Sequence, residues 1–279
     1  MNQITKAYDP TSYSDGIASE IKRLKNLSGL SWGKEARTLR NFGLREDMSV
    51  LEVASGPGFY SEKLLELLPR GKLTCLEIEE EYVRHAKEYL GGTASGGYEV
   101  EQGSVLDLPY ASNTFDFVVA RLIFHHLSDP MRAINELVRV LKPGGKLVIA
   151  DYDAKTAHFL YPIIPGSEMI HEKAVRAHAA RGGDAYVGRK LWSLMTDANL
   201  TGIDLEAVVM HSGEAGMDSC ETQFDPTRLL PLVRAGVIAE HEYAAYAEGT
   251  SKFLASPDSF YMNILILACG TKNVVSAVA

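Results

Sequence analysis

Apolar side chains recur along this chain with more than one period. Ile17, Ile21, Leu24 and Leu27 fall close to one helical face, with Glu20, Lys22 and Lys25 around the rest, which predicts a helix capped by Asp15. A second short helix is expected over 33–42, ended by Gly43. After Met48 the rhythm changes to short apolar runs, and strands are expected at 50–53, 72–78, 98–102, 116–120 and 146–151. Helices are expected between them, one carrying Leu64, Leu65 and Leu68, others over 80–89 and 132–141, and Lys142-Pro143-Gly144-Gly145 reads as a turn. Strands alternating with helices at this interval mean crossover units and a parallel sheet. Right-handed crossovers bring the strands' carboxyl ends to one edge, where ligands bind.

The alternation stops at 154–199, which holds helices near 167–180 and 188–198 separated by Gly182-Gly183. Strands at 202–211 and 260–269, with helical segments around 226–235 and 239–254 between them, bring the expected sheet to seven strands, most of them parallel. The chain therefore divides into an N-terminal helical segment (1–47), an α/β core (48–153), a helical cap inserted over the sheet edge (154–199) and a segment that completes the sheet (200–279).

Composition narrows the partners. A net charge of -8 argues against nucleic acid, because phosphate contacts need a concentrated basic surface. The first ten residues lack the basic start and apolar run of a signal peptide, and the longest apolar stretch, 260–269, is interrupted by Asn263 and too short to span a bilayer. Cys75, Cys220 and Cys269 form no redox pair and no zinc spacing. The expectation is a cytoplasmic protein, a monomer or homodimer, with a small-molecule substrate, no membrane or nucleic-acid partner and no metal.

The segment richest in chemistry is Val50-Leu51-Glu52-Val53-Ala54-Ser55-Gly56-Pro57-Gly58-Phe59-Tyr60-Ser61. A glycine turn between strand and helix lets backbone approach a ligand and aims helix-end N–H groups at it. A dinucleotide fingerprint wants a small residue where Ser61 stands and needs no acid ahead of the turn. Glu52 lies at the strand end, where a carboxylate meets a cationic ligand and repels a pyrophosphate.

This segment resembles motif I of the class I S-adenosylmethionine-dependent methyltransferases, acid-x-Gly-x-Gly-x-Gly, with Ala54 in place of the first glycine and Glu52, Gly56 and Gly58 matching. The resemblance continues through Glu77, nineteen positions after Gly58, where the family places an acid that grips both ribose hydroxyls, with Ile78 beside the adenine. Gly103-Ser104-Val105-Leu106-Asp107-Leu108-Pro109-Tyr110 looks like the adenine loop, with Ser104 where an aspartate is common, and the strand entered at 113–116 and the run 137–145 close the pattern over 48–151. The resemblance implies a Rossmann-like fold with helices on both sheet faces. It also implies S-adenosylmethionine as cofactor, contacted by Tyr13, Glu52, Ala54, Ser55, Gly56, Gly58, Glu77, Ile78, Ser104, Val105, Arg121, Leu122 and His126. The leading helix, with Tyr8 and Tyr13 before it and Trp32 after it, would fold over the cofactor as a lid.

Beyond the fourth strand comes Ala120-Arg121-Leu122-Ile123-Phe124-His125-His126-Leu127. The Asn/Asp-Pro-Pro-aromatic tetrapeptide of nucleobase and glutamine methyltransferases is absent, and Arg121 replaces the acid of the metal-dependent catechol type. What is left resembles the type 11 group that methylates small metabolites. Methyl transfer is an in-line displacement needing alignment, dryness and, for some nucleophiles, a base. His125 and His126 are the candidate bases and Asp151 a candidate to orient one or hold substrate, although adjacent side chains do not readily share one pocket. His171 and His178 can share a helix face and read as solvated, while Arg189 is expected to secure the cap. The favoured function is methylation of an O, N or C nucleophile. Open beside it stand a non-methylating reaction such as a cyclisation, a silent binding protein and, disfavoured by Glu52 and Ser61, a nicotinamide oxidoreductase.

Overall fold

The computed structural model describes residues 16–94 and 96–274; Tyr8, Tyr13 and Asp15 lie outside them. Helices α1 (Ile17–Gly29) and α2 (Trp32–Asn41) precede β1 (Ser49–Val53), α3 (Phe59–Glu66), β2 (Lys72–Glu77), α4 (Glu80–Thr93), β3 (Gly97–Gln102), β4 (Phe115–Arg121), α5 (Pro130–Val140) and β5 (Leu141–Tyr152). The five strands run parallel in the order β3-β2-β1-β4-β5. Their apolar runs are nearly continuous because helices cover both faces, and Val50, Leu51, Val118, Val119, Leu147 and Val148 are fully buried. Helix α5 starts where its sequence dictates: the Asp129 side chain accepts from the Arg132 N–H at 3.0 Å, with Pro130 in the first turn.

Beyond β5 come β6 (Phe159–Tyr161), α6 (Ser167–Ala180), α7 (Leu191–Asp197), β7 (Thr201–His211), the short α8 (Ser212–Ala215), α9 (Met217–Cys220) and α10 (Leu230–Arg234), then α11 (Glu240–Ala255) and β8 (Phe260–Thr271). The fold is the expected mostly parallel α/β one, corrected in two places. The sheet has eight strands, because β8 is long enough to pair antiparallel with β7 along one side and with β5 and then β6 along the other. The segment 154–199 is therefore not purely helical: Phe159–Tyr161 covers an edge of β8 that β5 leaves unpaired. The expected turn at 142–145 is a bulge inside β5, since Leu141 already pairs with Phe115 before the register shifts.

Two apolar clusters fill the two faces of the sheet. A third joins Leu30 and Ile164 to Met210, Phe224, Phe253 and Tyr261. The covering layer thus draws on the N-terminal helices, on 154–199 and on 212–259 alike. No described helix is long and apolar enough to cross a membrane.

A buried ion pair fastens the N-terminal helices to the strand ends. Arg121, at the end of β4, donates to both carboxylate oxygens of Glu35 in α2 at 2.8 and 3.0 Å, and the Ser31 hydroxyl adds a third bond at 2.5 Å. The guanidinium lies 4.7 Å over the Tyr60 ring, whose edge meets Trp32. Neither partner is solvated, Glu35 being 0% exposed and Arg121 10%. Removing one charge leaves the other buried and uncompensated, so Glu35→Gln should cost about 3–5 kcal/mol. The urea midpoint checks this; a loss below about 1 kcal/mol would mean that water screens the pair.

Candidate active site

Strand order reverses direction between β1 and β4, the switch point at which open α/β sheets bind ligands. A cavity of about 510 Å³ opens there, within the range of small-molecule sites. Its wall includes Ala54, Ser55 and Gly56 after β1, Glu77 and Ile78 after β2, Ser104 and Val105, the Arg121–Leu122 step, His125 and His126, and Tyr152. Helix α1 contributes Arg23, Leu24 and Leu27, and Arg228 comes from the turn Pro226–Leu229.

The first turn explains its own residues. Gly58 begins α3 at φ 93, and a Cβ there would sit 3.1 Å from the Ala86 side chain. Gly56 also has a left-handed φ, and a Cβ on it would meet nothing within 4 Å, so the backbone is bare toward the open space. Ala54, where the family has glycine, is held at φ 54. The Ser55 Oγ is buried on this wall and has no hydrogen-bond partner among the described residues.

Glu77 is shaped by backbone. Its Oε2 accepts from Gly56 N–H at 2.8 Å, and its Oε1 from Ile78 and Glu79 N–H at 2.8 and 2.9 Å. Burial pushes its pKa above the ordinary carboxylate value against the pull of these three donors. A carboxylate offers about four acceptor sites, so capacity is left for a ligand hydroxyl. Ile78 beside it is 41% exposed. Glu52 accepts from the Ser61 hydroxyl at 2.6 Å, which gives Ser61 a structural reason to stand there. Burial drives the Glu52 pKa up to about 8, while Ser61 and Arg121 pull it down.

These features suit S-adenosylmethionine: bare backbone at Gly56, an oriented acid at Glu77, an apolar platform at Ile78 and Val105, a buried carboxyl at Glu52, and an unsatisfied hydroxyl at Ser55. Two expected contacts look different in detail. The Ser104 hydroxyl accepts from the Leu106 N–H at 3.2 Å and so shapes its own loop. Arg121 reaches the cavity wall, and Glu35 of α2 takes its fork.

The loop after β4 folds as a 3-10 turn, Phe124–His126, and this tight winding brings both histidines to the wall, contrary to the expectation for neighbours. The Asp151 carboxylate, wholly buried at the end of β5, accepts from His125 Nδ1 at 2.8 Å and from His125 N–H at 3.1 Å. Nδ1 is thus the donor, and Nε2 is left as the ring's basic nitrogen. The His126 ring stands 3.8 Å from that of His125, and burial with its charged neighbours holds its pKa well below the ordinary histidine value.

The insertion packs against the far side of this loop. None of 154–199 is among the residues lining the cavity. His178 is buried rather than solvated, and its Nε2 donates to the His125 carbonyl at 2.7 Å, which also accepts from Asp184 N–H at 2.8 Å. Arg189 does secure this segment, gripping Asp153 at 2.5 and 2.7 Å. The insertion therefore braces the histidine loop from behind, and the wall is completed by α1 and Arg228. Periodicity gave no signal for Arg228; Arg23 lies beside Leu24 on α1 and was readable only as a solvated position.

An alanine in left-handed conformation is strained by about 1–2 kcal/mol. Ala54→Gly should therefore stabilise the fold by about 1 kcal/mol once the extra freedom of glycine in the unfolded chain is subtracted. Chemical denaturation checks this; an unchanged or lower midpoint would show that Ala54 is held by packing its methyl group needs.

The pattern of the methyltransferase domain family matches residues 51–149. The chain is 30% identical over 207 residues to an uncharacterised methyltransferase of Schizosaccharomyces pombe, covering 70% of each protein. It is 28% identical over 142 residues to demethylmenaquinone methyltransferase of Listeria monocytogenes, spanning 50% of this chain and 56% of that enzyme, so it matches little more than half the length of such curated relatives. Among solved structures, a SAM-dependent methyltransferase from Aquifex aeolicus superposes with a TM-score of 0.52 at 28% identity, over 71% of this chain and 90% of that one. With the cofactor turn, the acid at Glu77 and the strand order all in agreement, the chain belongs to the class I S-adenosylmethionine-dependent methyltransferases.

Proposed function

We propose that this protein transfers a methyl group from S-adenosylmethionine to an oxygen, nitrogen or carbon nucleophile of a small metabolite, with His125 as the base. The observation that carries this reading is that His125, held by Asp151 from behind, and the Glu77–Gly56 turn open on one cavity. When bound, the cofactor supplies a methyl group on an already activated sulfonium. In this reading Glu77 receives the ribose hydroxyls, Ile78 and Val105 flank the adenine, and Glu52 faces the ammonium group with Ser55 nearby. Asp151 keeps the His125 Nδ1 protonated and the ring aligned, and Nε2 takes the proton that the nucleophile gives up. His126, neutral, packs beside it. Helices α1 and α2, latched through Arg121, exclude water from the transfer geometry. That the protein works in the cytoplasm as a monomer or homodimer without nucleic acid is part of the same proposal, supported by the net charge of -8 and by three buried free cysteines.

The base is tested with methyl-labelled cofactor and fractionated small-metabolite extracts, reading transferred label by mass spectrometry. His125→Gln should lower turnover about 100-fold or more while S-adenosylhomocysteine binds within about threefold of wild type. Labelled product at an undiminished rate would remove His125 from the chemistry.

Glu52 adds a pH dependence. Titrating near 8, its carboxyl is neutral at lower pH, and pairing with an ammonium group requires the carboxylate, so binding expels a proton. Affinity for S-adenosylhomocysteine should rise by up to about tenfold per pH unit from pH 6 toward 8. Calorimetry should show this slope in wild type and a flat profile in Glu52→Gln. A flat wild-type profile would place the ammonium elsewhere.

A further inference from the structure

Helix α6 buries two of its side chains, Ile170 and His178. An apolar side chain belongs there; a buried imidazole asks for a partner. The His178 Nε2 stands 2.7 Å from the His125 carbonyl oxygen. A carbonyl only accepts, so Nε2 carries the proton. Burial above all, helped by the charges of His125 and Arg181, lowers the His178 pKa below the ordinary histidine value, and the ring is a neutral donor at neutral pH. The same carbonyl accepts a second bond from the Asp184 N–H at 2.8 Å. His125 is thus fastened on both sides, its N–H and Nδ1 on Asp151 and its carbonyl on the insertion. The turn that carries it is only three residues long, and a 3-10 turn has poor internal hydrogen bonds. Fastening from outside therefore sets where it lies.

Gly182 and Gly183 stand between the two helices of the insertion, and they tighten this contact. The Gly182 N–H reaches the Ala179 carbonyl at 2.9 Å and the Gly183 N–H the His178 carbonyl at 3.3 Å, so the pair closes the end of α6. Gly183 has no left-handed φ that would demand glycine, yet a Cβ on it would overlap the Nε2 and Cε1 atoms of His178. The missing side chain is the room in which the imidazole lies. From there the chain runs past both halves of the pair. Asp184 holds the His125 carbonyl, the Ala185 carbonyl accepts from the Ala154 N–H at 2.8 Å just beyond β5, and a Cβ on Gly188 would sit 2.9 Å from the Tyr152 carbonyl. The stretch 183–188 thereby meets the loop bearing His125 and the strand end bearing Asp151.

We propose that His178 is a positioning residue for the base: its Nε2–H pins the His125 carbonyl, holds the turn Phe124–His126 in register with Asp151 and keeps the His125 ring at the cavity wall with Nε2 bare, and Gly183 is the gap that admits it. The inference rests on the reading of His125 as the base.

The test uses full-length protein saturated with S-adenosylhomocysteine, with histidine ring nitrogens observed by long-range proton–nitrogen NMR above the ordinary histidine pKa. The His125 signal is the one lost in His125→Gln. Wild type should show a single tautomer, protonated on Nδ1. His178→Phe, which keeps the ring and loses the donor, should bring in the Nε2-protonated form, and His178→Gln, which restores a donor at the same reach, should remove it again. Gly183→Ala should act like His178→Phe with His178 still in place, and should change nothing further once His178→Ala is present. Labelled methyl transfer should fall about tenfold or more in His178→Phe and Gly183→Ala, with S-adenosylhomocysteine affinity within about threefold of wild type. Ile170→Ala loosens the same helix and should leave the His125 signal unchanged, which separates positioning from general support. If His178→Phe fails to fold, Gly183→Ala carries the same comparison. A His125 signal indifferent to both substitutions would overturn the proposal, as would failure of His178→Gln to restore it or an equal effect of Ile170→Ala. Transfer at an undiminished rate in His125→Gln would instead remove the base itself, which keeps the two failures apart.

Discussion

The ligand-bearing edge depends on how the chain leaves β1. Five residues, Ala54 to Gly58, must reverse from a buried strand into α3 without filling the space between them, and three of them take left-handed backbone to do so. That turn is tied to β2 twice, by Ser55 N–H on the Leu76 carbonyl at 3.1 Å and by Gly56 N–H on the Glu77 carboxylate at 2.8 Å. Glu77 thus lines the cavity and is at the same time part of what shapes the turn. Its side chain is held by main chain of two loops, so its geometry is set before any ligand arrives.

Around this frame the chain sorts charge by location. Burial raises the Glu52 pKa to about 8, in a place where a cationic group would restore its charge. Arg121 spends its fork on Glu35 and turns an N-terminal helix pair into a fixed wall. Asp151 uses three bonds, to His125 Nδ1, His125 N–H and Tyr152 N–H, to fix one imidazole. The Arg121–Glu35 and Asp151–His125 pairings join segments 86 and 26 positions apart, which is how a site of this kind stays ordered across a loop-rich edge.

Much of this was legible beforehand because it is local. The spacing of Glu52, Gly56, Gly58 and Glu77 fixes strand, turn and strand, and the two-sided burial of a parallel sheet makes its strands conspicuous in the sequence. Four features were hidden. The strand Phe159–Tyr161 is three residues long and exists only because β8 leaves an edge beside it. His178 looked solvated because its partner, the His125 carbonyl, lies 53 positions away. Arg228 sits in a segment without strong periodicity, and only the packing of that segment over α1 carries it to the cavity. The ion pair of Arg121 with Glu35, 86 residues earlier, leaves no mark on the run after β4.

The central claim is that this edge is built for S-adenosylmethionine and not for a pyrophosphate-bearing nucleotide. Titration calorimetry of the full-length chain with S-adenosylhomocysteine and with NAD decides between them. The account predicts saturable binding of S-adenosylhomocysteine at one site per chain and no heat with NAD. Saturable binding of NAD, with no response to S-adenosylhomocysteine, would contradict it.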